Sequence, residues 1–85
     1  MRDEEEKVIR LYGRQIKGKL DDRSEKYGRL GWRSKSTDEL MDWLRSEVKE
    51  LEEAIEGGNI EEILKECADV SILPMFIWDN KRGDR

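Results

Sequence analysis

Apolar residues recur at spacings of three and four along most of the chain, and this period predicts α-helices rather than strands. Ile9, Tyr12, Ile16 and Leu20 form one such stripe, so we expect a first helix over residues 3–25. An apolar stripe on one side of a helix is normally buried against another element. The first helix is therefore expected to pack on a neighbour.

Capping residues mark a second and a third helix. Ser36 and Glu39 have the spacing of a capping box, and a glycine pair follows the apolar run, so the second helix is expected over 36–57. Asn59 is the expected N-cap of a third helix over 59–78. Because so little chain separates these two helices, they must form an antiparallel hairpin.

The remaining segments complete an all-α prediction. A connector over 26–35 is rich in glycine and aromatic residues, Pro74 should kink the third helix, and 79–85 should be a polar tail. We expect one domain over 1–85, a helical hairpin plus an N-terminal helix. A chain of 85 residues builds only a marginal core. The four-helix-bundle-like core is therefore expected to be completed by oligomerisation.

Charge and composition exclude several function classes. The net charge is -4, which disfavours binding to a nucleic-acid polymer. The chain has no histidine, which excludes imidazole catalysis and the usual zinc sites. It has one cysteine, no apolar run long enough to span a bilayer, and an acidic N-terminus unlike a signal peptide. We therefore expect a cytoplasmic protein without a membrane partner.

The placement of acids on the second helix is the most informative pattern. Leu40, Leu44 and Leu51 define its apolar face at about 100° per residue. Glu47 falls near the middle of that face and Glu50 falls on its edge. A buried carboxylate without a partner is costly, so Glu47 requires one. The other glutamates of the hairpin are expected to be solvated surface charges: Glu52, Glu53, Glu56, Glu61 and Glu62.

The third helix carries a second pair, Glu66 and Asp69, again separated by three positions. Its apolar residues lie on more than one side, which is typical of a helix inside a bundle. The hairpin could bring this pair next to Glu47 and Glu50. Such a cluster of hard oxygen donors suits Mg²⁺ or Mn²⁺. On periodicity alone, Glu66 and Asp69 fit either a ligand or a surface charge paired with lysine or arginine.

These two pairs resemble a known motif. Glu47-Val-Lys-Glu50, followed after a spacer by Glu66-Cys-Ala-Asp69, is similar to the ExxE–ExxD signature of the MazG-like all-α nucleotide pyrophosphohydrolases. The similarity covers residues 36–78. The resemblance implies a homodimer or homotetramer. It also implies a hydrolase that uses Mg²⁺ to convert (deoxy)nucleoside triphosphates to monophosphate and pyrophosphate, with all four acids as metal ligands.

The expected roles follow from this hypothesis. Glu50 would orient the attacking water as base beside Glu47, and Trp43 or Trp32 could stack on the nucleotide base. Further candidate contacts to the substrate, chiefly to its phosphates, are Asn80, Lys81, Arg82, Arg29, Arg33 and Lys35. Two alternatives stay open. One is a module that binds metal or nucleotide without hydrolysis. The other is a structural helical oligomer in which arginine or lysine neutralises Glu47 across an interface.

Overall fold

The computed structural model describes residues 2–83 and contains three α-helices. α1 runs Arg2–Tyr27, α2 runs Thr37–Gly57 and α3 runs Ile60–Lys81. Helical residues make up 89% of the described chain and it has no strand, so the predicted all-α class is confirmed. No helix within residues 2–83 is both long enough and apolar enough to cross a membrane.

Local side-chain chemistry determines where α2 and α3 begin. Ser36 Oγ accepts the backbone N–H of Glu39, and Glu39 Oε1 accepts that of Ser36, so the capping box is formed. Gly58 ends α2 with a left-handed φ of 73°, which glycine adopts without steric cost. Asn59 then caps α3, its side chain accepting the N–H of Glu62. With so short a turn, α2 and α3 pack side by side as a hairpin.

The connector between α1 and α2 folds back onto the hairpin. Gly28 leaves α1 with a φ of 86°, and a short 3₁₀ helix, Gly31–Ser34, packs on α3. Within it, Trp32 stacks on Phe76, with ring centroids 4.4 Å apart and planes 6° from parallel. Offset aromatic stacking of this kind adds to the burial of both rings. The connector is therefore ordered by contact with α3.

The core lies where the three helices meet. Leu40 from α2 and Ile72, Leu73 and Phe76 from α3 are almost fully buried. Partly buried apolar residues surround them, and these come from all three helices and the 3₁₀ turn: Ile16, Leu20, Trp32, Trp43, Leu44, Met75 and Ile77. The core residues of α3 lie in its C-terminal half, about one to two turns beyond Asp69.

Two sequence predictions differ from the structure. α3 continues through Pro74 to Lys81, past the expected end at residue 78, and Asp79 of the predicted polar tail is buried. Proline removes one intrahelical hydrogen bond, but the contacts that Asp79 makes with the connector hold the last turn in place. The stripe on α1 is also only half packed, because Ile9 is 71% exposed.

Candidate metal centre

Three acidic side chains converge inside the α2–α3 hairpin. Glu47 comes from α2, and Glu66 and Asp69 come from α3. One carboxylate oxygen of each lies within 4.8 Å of the others. Their relative exposures are only 8%, 8% and 6% respectively, although each would be charged in water. We call these three residues the acid cluster. Its formation follows from the antiparallel hairpin, which sets the middle of α2 beside the middle of α3.

The acid cluster leaves oxygen atoms without hydrogen bonds. Glu47 Oε2 and Glu66 Oε2 are buried and accept none, whereas Asp69 Oδ1 has no well-aligned hydrogen bond but is ion-paired with Lys19 Nζ. Leaving a buried polar atom unsatisfied costs about 1–3 kcal/mol, and more for a charged group. Native structures rarely keep several such atoms together without a ligand. The two unsatisfied glutamate oxygens therefore point to a partner that the described part of the chain does not supply.

Burial and mutual repulsion alter how these groups ionise. Burial, followed by the neighbouring negative charges, first that of Asp69, raises the pKa of Glu66 to about 7. Burial also raises the pKa of Glu47, as does the adjacent carboxyl group of Glu50. Opposite charge close to such a group would reverse these shifts. A set of buried, oxygen-only donors with unsatisfied atoms fits Mg²⁺ or Mn²⁺.

Glu50 stands at the rim of the acid cluster. Its side chain is exposed, and it is not among the three acids whose oxygens converge. It is near enough for its negative charge to raise the pKa of Glu66. With Glu53, Glu62 and Glu66 it lines an acidic groove of about 350 Å³. Of the four acids of the predicted metal site, the structure thus brings three together in the interior and leaves Glu50 on the solvent side.

Two cations from α1 face the acid cluster, and the sequence predictions missed both. Lys19 Nζ lies 2.7 Å from Asp69 Oδ1, and Arg23 Nη2 lies 3.9 Å from Glu47 Oε1. They flank Leu20, the last residue of the predicted α1 stripe. That position was a usable signal, because a cation beside an apolar stripe often faces the same neighbour. The cation nearest to Glu47 is therefore an arginine of the same chain.

An aromatic cleft of about 630 Å³ adjoins the acid cluster. Trp43 joins the two: its ring lines the cleft, and its Nε1 donates a hydrogen bond to Glu47 Oε1 at 3.1 Å. Arg23 also lines the cleft and lies over the Trp43 ring, 4.2 Å from its centroid. The remaining wall includes Trp32, Phe76, Tyr27 and Lys35. The cleft is thus apolar at its base and cationic near the acid cluster.

No family model, curated protein or solved structure gives a significant match to this chain. The similarity to the MazG-like signature therefore rests on the residues quoted for it.

Four of the predicted substrate contacts bond to other groups of the chain: Trp32, Arg33, Asn80 and Arg82. Arg33 Nε donates to Asp79 Oδ2 at 2.9 Å, and Arg82 Nε donates to Asp79 Oδ1 at 3.0 Å. Asp79 also accepts the Trp32 indole N–H at 2.8 Å, and the Asn80 amide donates to the Trp32 carbonyl. We call Asp79 and the groups bonded to it the Asp79 hub. The hub anchors the connector to α3.

The other predicted contacts differ in their surroundings. Lys81 is exposed at the end of α3. Lys35 and Trp43 line the aromatic cleft, as does Trp32, although one face of the Trp32 ring is already covered by Phe76. Trp43 and Lys35 are therefore the predicted contacts whose positions best suit a molecule in the cleft.

Proposed function

We propose that this chain is a Mg²⁺-dependent nucleoside triphosphate pyrophosphohydrolase, with Mn²⁺ as an alternative metal. The observation that carries the proposal is the junction of two features. A buried acid cluster with unsatisfied oxygens adjoins an aromatic cleft, and Trp43 and Arg23 belong to both. Ligand sites are commonly concave and apolar with a few convergent polar groups, and a volume of this size is typical. The MazG-like resemblance supplies the reaction class.

Each residue has a defined role in this proposal. Glu47, Glu66 and Asp69 would hold the metal, whose chemistry when bound is to neutralise phosphate charge and polarise the reacting phosphorus centre. Glu50, on the solvent side of the cluster, would orient the attacking water through its carboxylate. Trp43 would pack against the base, and Trp32 and Phe76 would add apolar surface on the wall of the cleft. The products would be a nucleoside monophosphate and pyrophosphate.

The test is a panel of dNTPs and NTPs assayed for products with Mg²⁺ and with chelator. We expect Mg²⁺-dependent formation of pyrophosphate and monophosphate, rather than diphosphate and inorganic phosphate. Glu47→Gln and Asp69→Asn should each lower kcat/KM by about a hundredfold or more, since each loses a metal ligand. Glu52→Gln, an exposed acid on α2, is the matched control. Equal activity in all three variants would exclude this site.

A second candidate is a structural helical assembly, and the cations of α1 favour it. Lys19 and Arg23 already neutralise much of the acid cluster, as an ion-paired interior would require. In that case titration with Mg²⁺ or Mn²⁺ would release no heat and would not change the unfolding temperature. Binding of Mg-nucleotide without product would instead select a module that binds and does not hydrolyse.

We further propose a homodimer or homotetramer in the cytoplasm. The support is the apolar surface that the chain leaves exposed on α1 and α3, at Ile9, Ile60 and Leu64. The single cysteine, which is free, is typical of intracellular proteins. Light scattering should give the mass of two or four chains. Leu64→Lys should lower that mass, whereas Lys65→Gln beside it should not. A monomer at millimolar concentration would contradict this assembly.

A further inference from the structure

Two cations one turn apart on α1 stand at the junction between the acid cluster and the aromatic cleft. Lys19 faces Asp69 at 2.7 Å, and its side chain is 19% exposed. Arg23 lies 3.9 Å from Glu47 and also covers one face of Trp43. Residues four apart on a helix lie on the same side. A molecule that reached from the cleft to the acid cluster would therefore pass both cations.

The hydrogen-bonding capacity of Arg23 is largely unused. Its Nε is buried without a hydrogen-bond partner, and its 3.9 Å separation from Glu47 exceeds hydrogen-bond length. A guanidinium group carries five N–H donors in a fixed plane and suits the oxygens of phosphate. The position of Arg23 is held by the Trp43 ring rather than by an acceptor. An anion in the cleft would supply the acceptor that the chain does not.

Charge balance indicates that Lys19, like Arg23, needs an anion beside it once a metal is bound. Lys19 pairs with Asp69 and Arg23 lies near Glu47, so two cations stand against the three carboxylates of the acid cluster. A divalent cation bound to those carboxylates would take the oxygens that the two side chains now face. The two cations would then lie beside a charge of their own sign, which is unfavourable unless an anion comes between. Phosphate groups bring that anion together with the metal.

We propose that Lys19 and Arg23 bind the phosphate chain of a nucleotide whose base lies in the aromatic cleft, and that they are counter-ions of the acid cluster when metal is absent. The proposal rests on the proposed function and deepens it by assigning phosphate recognition to α1. Arg33 and Arg82 are less suitable for this role, because both bond to Asp79. In this proposal, metal and phosphates together replace the ion pairs that Lys19 makes with Asp69 and Arg23 makes with Glu47.

The test is calorimetry with Mg²⁺ and non-hydrolysable α,β-methylene analogues of the nucleotides in the panel. The corresponding nucleosides, which lack phosphate, are the second probe, and Mn²⁺ alone is the third. Lys19→Gln and Arg23→Gln should each weaken analogue binding about ten- to a hundredfold, the effect of losing a charge-assisted hydrogen bond. Nucleoside affinity should change by less than about fivefold. Lys19→Gln should bind Mn²⁺ at least as tightly as the wild type, because a competing cation has gone.

The controls separate this inference from the proposed function. Lys17→Gln, an exposed lysine on α1, should leave all three affinities unchanged. Lys19→Arg keeps the charge and should bind the analogues within about fivefold of wild type, whereas Arg23→Lys keeps the charge but loses the planar donors and should fall between wild type and Arg23→Gln. Wild-type affinity for the analogues in Lys19→Gln and Arg23→Gln would overturn the inference and leave the proposed function standing. A wild-type protein that bound none of the analogues with Mg²⁺ would overturn both.

Discussion

Replacing Glu66 by glutamine is expected to abolish divalent-metal binding and, in the same molecule, to raise the unfolding temperature of the metal-free protein. Glu66 is buried, its Oε2 has no hydrogen-bond partner, and two more carboxylates lie beside it. An amide of the same shape removes one charge from that group, and so removes both its repulsion and its desolvation cost. It also removes a ligand that Mg²⁺ or Mn²⁺ requires. Stability and function should therefore change in opposite directions.

The pH dependence of wild-type stability should also show that ionised Glu66 destabilises the fold. Glu66 has an ordinary pKa of 4.5, and burial raises it to about 7 in the folded protein. Between these values the folded state holds a proton that the unfolded state has released, so the free energy of unfolding falls as pH rises through that window. Above that window, Glu66 is ionised in the folded state, and its repulsion with the neighbouring carboxylates destabilises the fold fully. In Glu66→Gln the free energy of unfolding should decline less with rising pH. At pH 8 the unfolding temperature of this variant should be several degrees above that of the wild type.

Metal should restore the stability lost at high pH in the wild type but not in Glu66→Gln. A ligand at a hundred times its Kd stabilises by about 2.7 kcal/mol, which for a domain of this size is roughly 10 °C or more. Because protons compete for Glu66, the stabilisation by Mn²⁺ should be larger at pH 8 than at pH 6. Differential scanning calorimetry measures both effects. Glu61→Gln, an exposed acid in the first turn of α3 that lies outside the acidic groove, is the control. A metal shift that persisted in Glu66→Gln would remove Glu66 from the site.

Much of the fold could be predicted from local rules. The caps at Ser36 and Asn59 and the glycine stop at the end of α2 act within a few residues, so the sequence was enough to place the hairpin. The inward position of Glu47 also followed from the period of α2 alone. In each case the deciding interactions lie within one helix or one turn.

The rest depended on how helices pack against each other, which no local pattern specifies. Lys19 and Arg23 are on α1, and only its crossing over the hairpin brings them to the acid cluster. Glu66 and Asp69 lie on a helix that is apolar on more than one side, so periodicity left their surroundings open. The sequence predicts a polar tail at Asp79 because the residues that bond to it, Trp32 and Arg33, are distant in sequence. Long-range polar contacts of this kind leave little trace in composition.

Replacing Asp79 by alanine is expected to destabilise the fold strongly without affecting metal binding. Its carboxylate accepts hydrogen bonds from Trp32, Arg33 and Arg82, and it is almost fully buried. Removing it leaves an indole N–H and two guanidinium groups without that acceptor and frees the 3₁₀ turn from α3. The unfolding temperature should fall by roughly 10 °C. Near-ultraviolet circular dichroism should lose the signal of Trp32 stacked on Phe76.

The acid dependence of this effect identifies its cause. The hydrogen bond from Arg33, followed by that from Trp32, lowers the pKa of Asp79 from its ordinary value of 3.8. A carboxyl with a lowered pKa stabilises the fold above that ordinary value, and its contribution is lost as pH falls below it. The gap in stability between wild type and Asp79→Ala should therefore be full near pH 7 and narrow below about pH 4. A gap that did not narrow would indicate lost packing rather than lost charge.

Asp42→Ala is the matched control, because Asp42 pairs with Arg45 on the open surface of α2. Exposed ion pairs contribute little, so this variant should stay within about 2 °C of wild type. Asp79 is not among the acids that converge in the cluster, and Mn²⁺ should still stabilise Asp79→Ala as it does the wild type. Glu66→Gln and Asp79→Ala thus have opposite expected outcomes. Glu66→Gln gains stability and loses metal binding, and Asp79→Ala loses stability and keeps metal binding. If Asp79→Ala instead lost the metal response while folded, the hub and the acid cluster would be one functional unit.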